Sequence, residues 1–137
     1  MNSRTPIRQL RPRAEVFKAL GHPVRLQILS VLAQEEACVC HLEARLRMRQ
    51  AYLSQQLAVL REAGLVAERR MGTYVYYRAR RPQVVEMIKA MRTFTGSADL
   101  GLPQPNAAAC ACPRCVVLAQ PLAMTTHHRT RRPAGSH

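Results

Sequence analysis

Ala37–Val66 reads ACVCHLEARLRMRQAYLSQQLAVLREAGLV, and two kinds of chemistry meet in it. Its front end carries a Cys-x-Cys pair, Cys38 and Cys40. Leu42 and Leu46 stand four apart, as the inner face of a helix beginning near Cys40 requires. A polar, basic break follows at Arg47-Met48-Arg49-Gln50. Apolar residues then return at Leu53, Leu57, Leu60 and Ala63, with spacings of four, three and three. That is a second amphipathic helix, and Gly64 ends it where a left-handed residue is wanted. Its outward face offers Gln50, Tyr52, Ser54, Gln55, Gln56 and Arg61, all able to donate or accept hydrogen bonds. A short helix, a tight turn and a second helix with polar tips is the layout of a helix-turn-helix. The plainer alternative is a helical hairpin with a solvated face.

The flanks extend this reading on both sides. From Arg13, the residues Val16, Phe17 and Leu20 predict a first helix ending at Gly21. Pro23 suits the first turn of the next helix, whose Leu26, Ile28, Leu29, Val31 and Leu32 are apolar on most sides and mark the buried centre. After Gly64, Leu65-Val66 begins a strand, residues 67–73 make a turn, and Tyr74-Val75-Tyr76-Tyr77-Arg78 returns. A hairpin directly after a recognition helix is a wing, which would lay Arg69, Arg70 and Arg78 along a phosphate backbone or into a minor groove. Basic edges also serve to blunt exposed strands, but the position after the helix favours DNA. Pro82 opens a last helix with Val84, Val85, Met87, Ile88 and Met91, more apolar surface than one core contact needs. A second subunit would cover the remainder, the alternative being burial within one chain. The expected division is a flexible lead-in over 1–12, a DNA-binding and dimerisation domain over 13–95, and a flexible tail over 96–137 that holds Cys110, Cys112 and Cys115 in a Cys-x-Cys-x-x-Cys pattern.

Charge agrees with a polyanionic partner. The 137 residues carry a formal net charge of +13, and only Lys18 and Lys89 are lysines. Arginine suits bidentate contacts to phosphate and to guanine edges, although an arginine-rich chain can also reflect genome composition. No apolar run approaches the roughly 18 residues that span a bilayer, and the basic start lacks the apolar core of a signal peptide. The expectation is a cytoplasmic protein with no membrane partner. There, five cysteines in two clusters point to metal or redox sensing rather than structural disulfides.

With these parts in place, the chain resembles the ArsR/SmtB family of metal-responsive winged-helix repressors. The matching segments are Lys18-Ala-Leu-Gly-His-Pro-Val-Arg-Leu-Gln-Ile-Leu29, Glu36-Ala-Cys-Val-Cys-His-Leu42, Leu53-Ser-Gln-Gln-Leu57, Leu60-Arg-Glu-Ala-Gly-Leu-Val66 and Gly72-x-x-Val-Tyr-Tyr-Arg78, spanning roughly residues 13 to 94. The resemblance implies a mostly helical α+β winged helix-turn-helix, dimeric through its first and last helices. It also implies that the helix from about Gln50 to Ala63 reads the major groove of double-stranded operator DNA, and that metal binding releases it. Arsenic- and cadmium-type members carry Glu-Leu-Cys-Val-Cys-Asp-Leu where this chain has Glu36-Ala37-Cys38-Val39-Cys40-His41-Leu42. The two thiols match, whereas Ala37 and His41 depart. A third cysteine familiar from arsenite sites falls at Glu43, and residues 1–37 lack the extra thiols of cadmium/lead-type members. The zinc- or nickel-type site needs Asp and His on the last helix, and residues 82–95 hold neither.

Two thiolates two residues apart leave a soft ion under-coordinated. The expected ligands are therefore Cys38 and Cys40 joined by tail cysteines among Cys110, Cys112 and Cys115, with His41 a weaker candidate. Alternatively, the tail forms its own three-sulfur site. Arsenite, antimonite, cadmium and lead are the candidate inducers, with zinc the weaker choice. A rival of the same fold is a thiol-redox or persulfide switch joining Cys38 or Cys40 to a tail cysteine. A rival of another class is a soft-metal carrier, which would need no recognition helix. An enzyme acting on a small organic substrate is not expected, since no acid/base pair or activated nucleophile stands out. For DNA, Ser54, Gln55 and Gln56 are the base-edge candidates, and Arg49 and Arg61 the phosphate contacts.

Overall fold

The computed structural model describes residues 6–96 together with Cys110 and Cys112. Five helices and a three-stranded sheet follow one another as α1 (Ile7–Leu20), α2 (Pro23–Leu32), β1 (Ala37–Cys38), α3 (Val39–Leu46), α4 (Gln50–Glu62), β2 (Val66–Met71), β3 (Tyr74–Ala79) and α5 (Pro82–Thr95). Helix α2 is the hub. Its Ile28, Leu29, Val31 and Leu32 are buried against Leu42 and Leu46 of α3, Leu53, Leu57 and Leu60 of α4, and Val84 and Ile88 of α5. Each fully buried Leu or Ile contributes roughly 1.5–3 kcal/mol before conformational entropy is set against it. The face foreseen for α3 and α4 from their leucine spacing is the face that packs.

The turns are built from backbone chemistry. Between α3 and α4, Arg47 takes a left-handed conformation (φ 55°), and its N–H bonds the Glu43 carbonyl. At the end of α4, the Leu65 N–H reaches the Leu60 carbonyl and the Gly64 N–H reaches that of Arg61, both at 3.0 Å. This pair of bonds is a Schellman stop with Gly64 at φ 76°. It hands Leu65 and Val66 straight into the core and starts the wing.

Three boundaries differ from expectation. Helix α1 begins at Ile7 rather than Arg13 and continues through Pro12. Its early residues are exposed, so the turn that lacks the proline N–H is open to water, where the lost bond costs little. The wing is longer and tighter than a seven-residue turn allows. Met71 pairs with Tyr74, leaving a two-residue loop with Gly72 at φ 61°. Third, Ala37 and Cys38 form a strand, which periodicity cannot reveal in two residues. They pair antiparallel with Tyr77 and Tyr76, giving the sheet order β1-β3-β2.

Leu57 is 1% exposed at the meeting of α4 with the core. Leu57→Ala is expected to lower the unfolding free energy by about 2–5 kcal/mol, read by urea denaturation of the reduced protein.

Candidate metal centre and nucleic-acid interface

The sulfur centre is assembled by the start of α3. Cys38 ends β1 and caps α3, its Sγ accepting the His41 backbone N–H at 3.3 Å. Cys40 sits in the first helical turn. Cys110 and Cys112, from beyond α5, complete the group: the four Sγ atoms all lie within 4.8 Å of one another. Cys38 Sγ is 2.7 Å from Cys40, 3.6 Å from Cys110 and 3.4 Å from Cys112, and Cys40 Sγ is 2.6 Å from Cys110. Tyr76 of β3, buried, packs with Cys38 and Cys112 as a small cluster apart from the main core. Cys115 lies outside the described residues. The His41 ring turns away from the sulfurs, its Nε2 2.8 Å from Glu35 Oε1.

Burial dominates the electrostatics here. It pushes the Cys38 thiol up from 9.0 to about 11, helped by its contacts to Cys112 and Cys110 and opposed by Cys40 and the His41 N–H. Burial also raises the Cys40 thiol, reinforced by Cys110 and Cys38. At neutral pH Cys38 and Cys40 therefore keep their protons. Ionising together would place like charges a few ångströms apart in a poorly hydrated spot. The donor set fits a thiophilic ion. Zinc–sulfur bonds of about 2.3 Å imply sulfur separations of roughly 3.8 Å in a tetrahedron, which the observed spread brackets.

The DNA-facing candidates divide. Arg49, Gln50, Tyr52, Ser54 and Gln55 are exposed along the first half of α4. Gln56 departs from the expected outward face. It is 9% exposed and accepts a hydrogen bond from Arg25 Nε at 2.8 Å. Arg25 also reaches the Ala19 carbonyl at 3.3 Å, so Gln56 ties α4 to α2 and to the end of α1. Spacings of three and four on a helix put Gln56 beside Leu53 and Leu60, a signal that its polarity concealed. Arg61 is exposed and donates to Glu68 Oε2 at 3.1 Å. On the wing, Arg70 and Arg78 are exposed, whereas Arg69 pairs with Glu36 and lies over the Tyr76 ring. Arg25, Glu36 and Tyr76 are contributors missed by sequence reasoning, because each acts through a partner more than 30 residues away.

Residues 22–68 match the family model described as "Bacterial regulatory protein, arsR family". A biofilm growth-associated repressor of Agrobacterium fabrum is 46% identical over 78 residues, 57% of this chain and 67% of the relative. The chain belongs to the arsR family. Family membership makes it a DNA-binding transcriptional repressor rather than an enzyme. Among arsR-family relatives, the arsenic resistance transcriptional regulator ArsR1 of Pseudomonas putida is 43% identical over 77 residues, 56% of this chain and 59% of that protein. The solution structure of a homodimeric winged helix-turn-helix domain from Mycobacterium bovis, described as a possible ArsR-family regulator, superposes with a TM-score of 0.62 at 32% identity, covering 72% of this chain and 91% of that one. Among the described residues, no helix is long and apolar enough to cross a membrane.

Two outcomes follow. The raised Cys38 thiol contributes stability that is complete below about pH 9 and lost as pH climbs to about 11. Urea denaturation of the reduced, ion-free chain across that window should show the decline, and Cys38→Ser should lessen it, leaving the part due to the likewise raised Cys40 thiol. Separately, Gln55→Ala should lose about 1–3 kcal/mol of base discrimination. Gln56→Ala should keep the preference and instead lose about 1 kcal/mol of stability. Competition binding on single-base DNA variants, with parallel denaturation, tells the two apart.

Proposed function

We propose that this repressor binds operator DNA as a homodimer and is released when a soft metal or metalloid ion is taken up by Cys38, Cys40, Cys110 and Cys112. What carries the reading is the gathering of four thiols from segments some 70 residues apart onto the strand that pairs with the wing. In the DNA-bound form, α4 lies in the major groove with Ser54 and Gln55 on base edges. Arg49, Gln50, Tyr52, Arg61, Arg70 and Arg78 take sugar–phosphate contacts, and Arg69 joins them once freed from Glu36. The second copy covers the apolar groove lined by Phe17, Leu20, Leu26, Met87, Met91 and Phe94. Phe17 and Phe94 are 70% and 93% exposed there, and the similar Mycobacterium bovis domain is homodimeric. DNA binding places the working protein in the cytoplasm.

A soft cation, when bound, supplies the positive charge that lets these thiols ionise together. Four sulfurs suit cadmium or lead, and three of them suit arsenite or antimonite. Cys110 and Cys112 tie the chain that follows the dimer helix α5 to the front of α3. A pull there changes how the two α4 helices are spaced across the dimer, and only one spacing matches two half-sites a helical turn apart. Near-complete release requires a coupling on the order of several kcal/mol.

A thiol-redox switch finds one supporting observation, the 2.6 Å approach of Cys40 to Cys110. Redox-sensing thiols, however, are ionised and accessible, whereas burial holds Cys38 and Cys40 protonated. The ion reading is the better supported.

The test is release of a palindromic DNA, selected by the wild-type chain from a random pool, under reducing conditions. Cadmium or arsenite should release wild type with a tenfold or greater loss of affinity, within the usual range of about 5–150-fold. Cys38→Ser and Cys110→Ser should bind the DNA like wild type and no longer respond. Equal release of the variants would sink the ligand assignment. Release by mild oxidant alone would put the thiol switch in its place.

A further inference from the structure

One row of the sheet joins the sulfur centre to the wing. Cys38 pairs with Tyr76, and Tyr76 pairs on its other side with Arg69, so the three are direct cross-strand neighbours in the order β1-β3-β2. Directly paired residues project to the same face. The Tyr76 ring packs on Cys38 and Cys112, with Cys112 only 1% exposed. The Arg69 guanidinium lies over that ring, 5.4 Å from its centre. Its Nε, 3.2 Å away, and a terminal nitrogen both donate to Glu36 Oε1, and Glu36 immediately precedes β1. A basic side chain on a wing belongs on phosphate. Here it is folded back over the aromatic floor of the sulfur centre and held by the residue that leads into Cys38.

We propose that Arg69 is a positioning residue that carries the state of the sulfur centre to the wing: its guanidinium is shared between a DNA phosphate and the Glu36–Tyr76 seat. This builds on the ion-release reading above. Packing of Cys38 and Cys112 under Tyr76 fixes the ring on which Arg69 stacks. Holding β1 by its cysteine also fixes Glu36 at the distance the guanidinium fork needs. An ordered centre therefore withdraws one cation from the DNA side of the wing, and DNA that takes this cation loosens the seat by the same factor. The fork matters as well as the charge, since only a planar guanidinium can stack and donate twice.

The experiment measures affinity of the full chain for the selected DNA with and without cadmium, following metal loading by thiolate absorption. Glu36→Gln frees Arg69. It should load cadmium like wild type, bind DNA about fivefold tighter without it, and show an about fivefold smaller cadmium effect, within the range of ordinary allosteric couplings. On an Arg69→Met background, Glu36→Gln should change neither quantity. Glu68→Gln removes another wing carboxylate, one that pairs with Arg61. It should leave the ratio of affinities with and without cadmium unaltered. The proposal is overturned if Glu36→Gln loads cadmium normally and keeps the wild-type ratio, or if its gain persists without Arg69. Should wild type fail to respond to cadmium, the ion-release reading falls. The seat is then judged without metal, where an equal gain from Glu36→Gln and Glu68→Gln overturns it.

Discussion

Two backbone pairings, Ala37 with Tyr77 and Cys38 with Tyr76, set the geometry on which the rest of the molecule depends. Without them the Cys-Val-Cys segment would be the ragged entrance of a short helix. With them it is the edge of the wing's own sheet. Cys38 is then held at once by a ladder, by its capping bond to His41 and by Tyr76, while α3 is aimed so that Leu42 and Leu46 reach the core under α4. The sulfur centre and the wing share one sheet because a strand of two residues is common to both.

The same pairing explains why the sulfur centre is unfavourable when left to itself. Neutral thiols make weak hydrogen bonds, and ionised ones would repel each other in a buried corner. A structure that only needed stability would fill this corner with aliphatic side chains. Retaining four sulfurs there costs stability, which on the reading proposed above a thiophilic cation would recover. That difference is the quantity a switch requires.

Much of this was legible in the sequence, and the reasons differ by element. The leucine spacing of α3 and α4, the Gly64 stop and the aromatic strand β3 announce themselves because local periodicity and packing agree there. The order of parts and the arsR-family segments did the rest for the fold. Gln56 misled because a polar side chain on a helix is ordinarily outside; its place inside depends on Arg25, a partner no local pattern can supply. Helix α1 begins earlier than expected because its first turns are exposed and carry no clear apolar period, and an exposed turn tolerates the N–H missing at Pro12. Strand β1 was invisible, since two residues carry no period. That cysteines beyond α5 join the front pair could be argued from the shortage of ligands. Which ones meet, and over which ring, follows only from the sheet.

Length of chain accounts for the use of distant sulfurs. The fold already brings the end of α5 near the rest of the domain, and Cys110 stands 14 positions beyond Gly96, so only that span must still be closed to deliver the second pair of thiols. Closing a span of that size costs roughly 2 kcal/mol beyond a constant, close to what burying two small side chains returns. A balance this near to even is easily tipped. Ligands built wholly into α3 would hold the same shape with or without an ion, and an ion binding both states alike would shift nothing. With half of the proposed ligands drawn from beyond the domain, ion affinity would depend on a contact that can be made or lost. On the reading proposed above, the row from Cys38 through Tyr76 to Arg69 joins that contact to the basic wing.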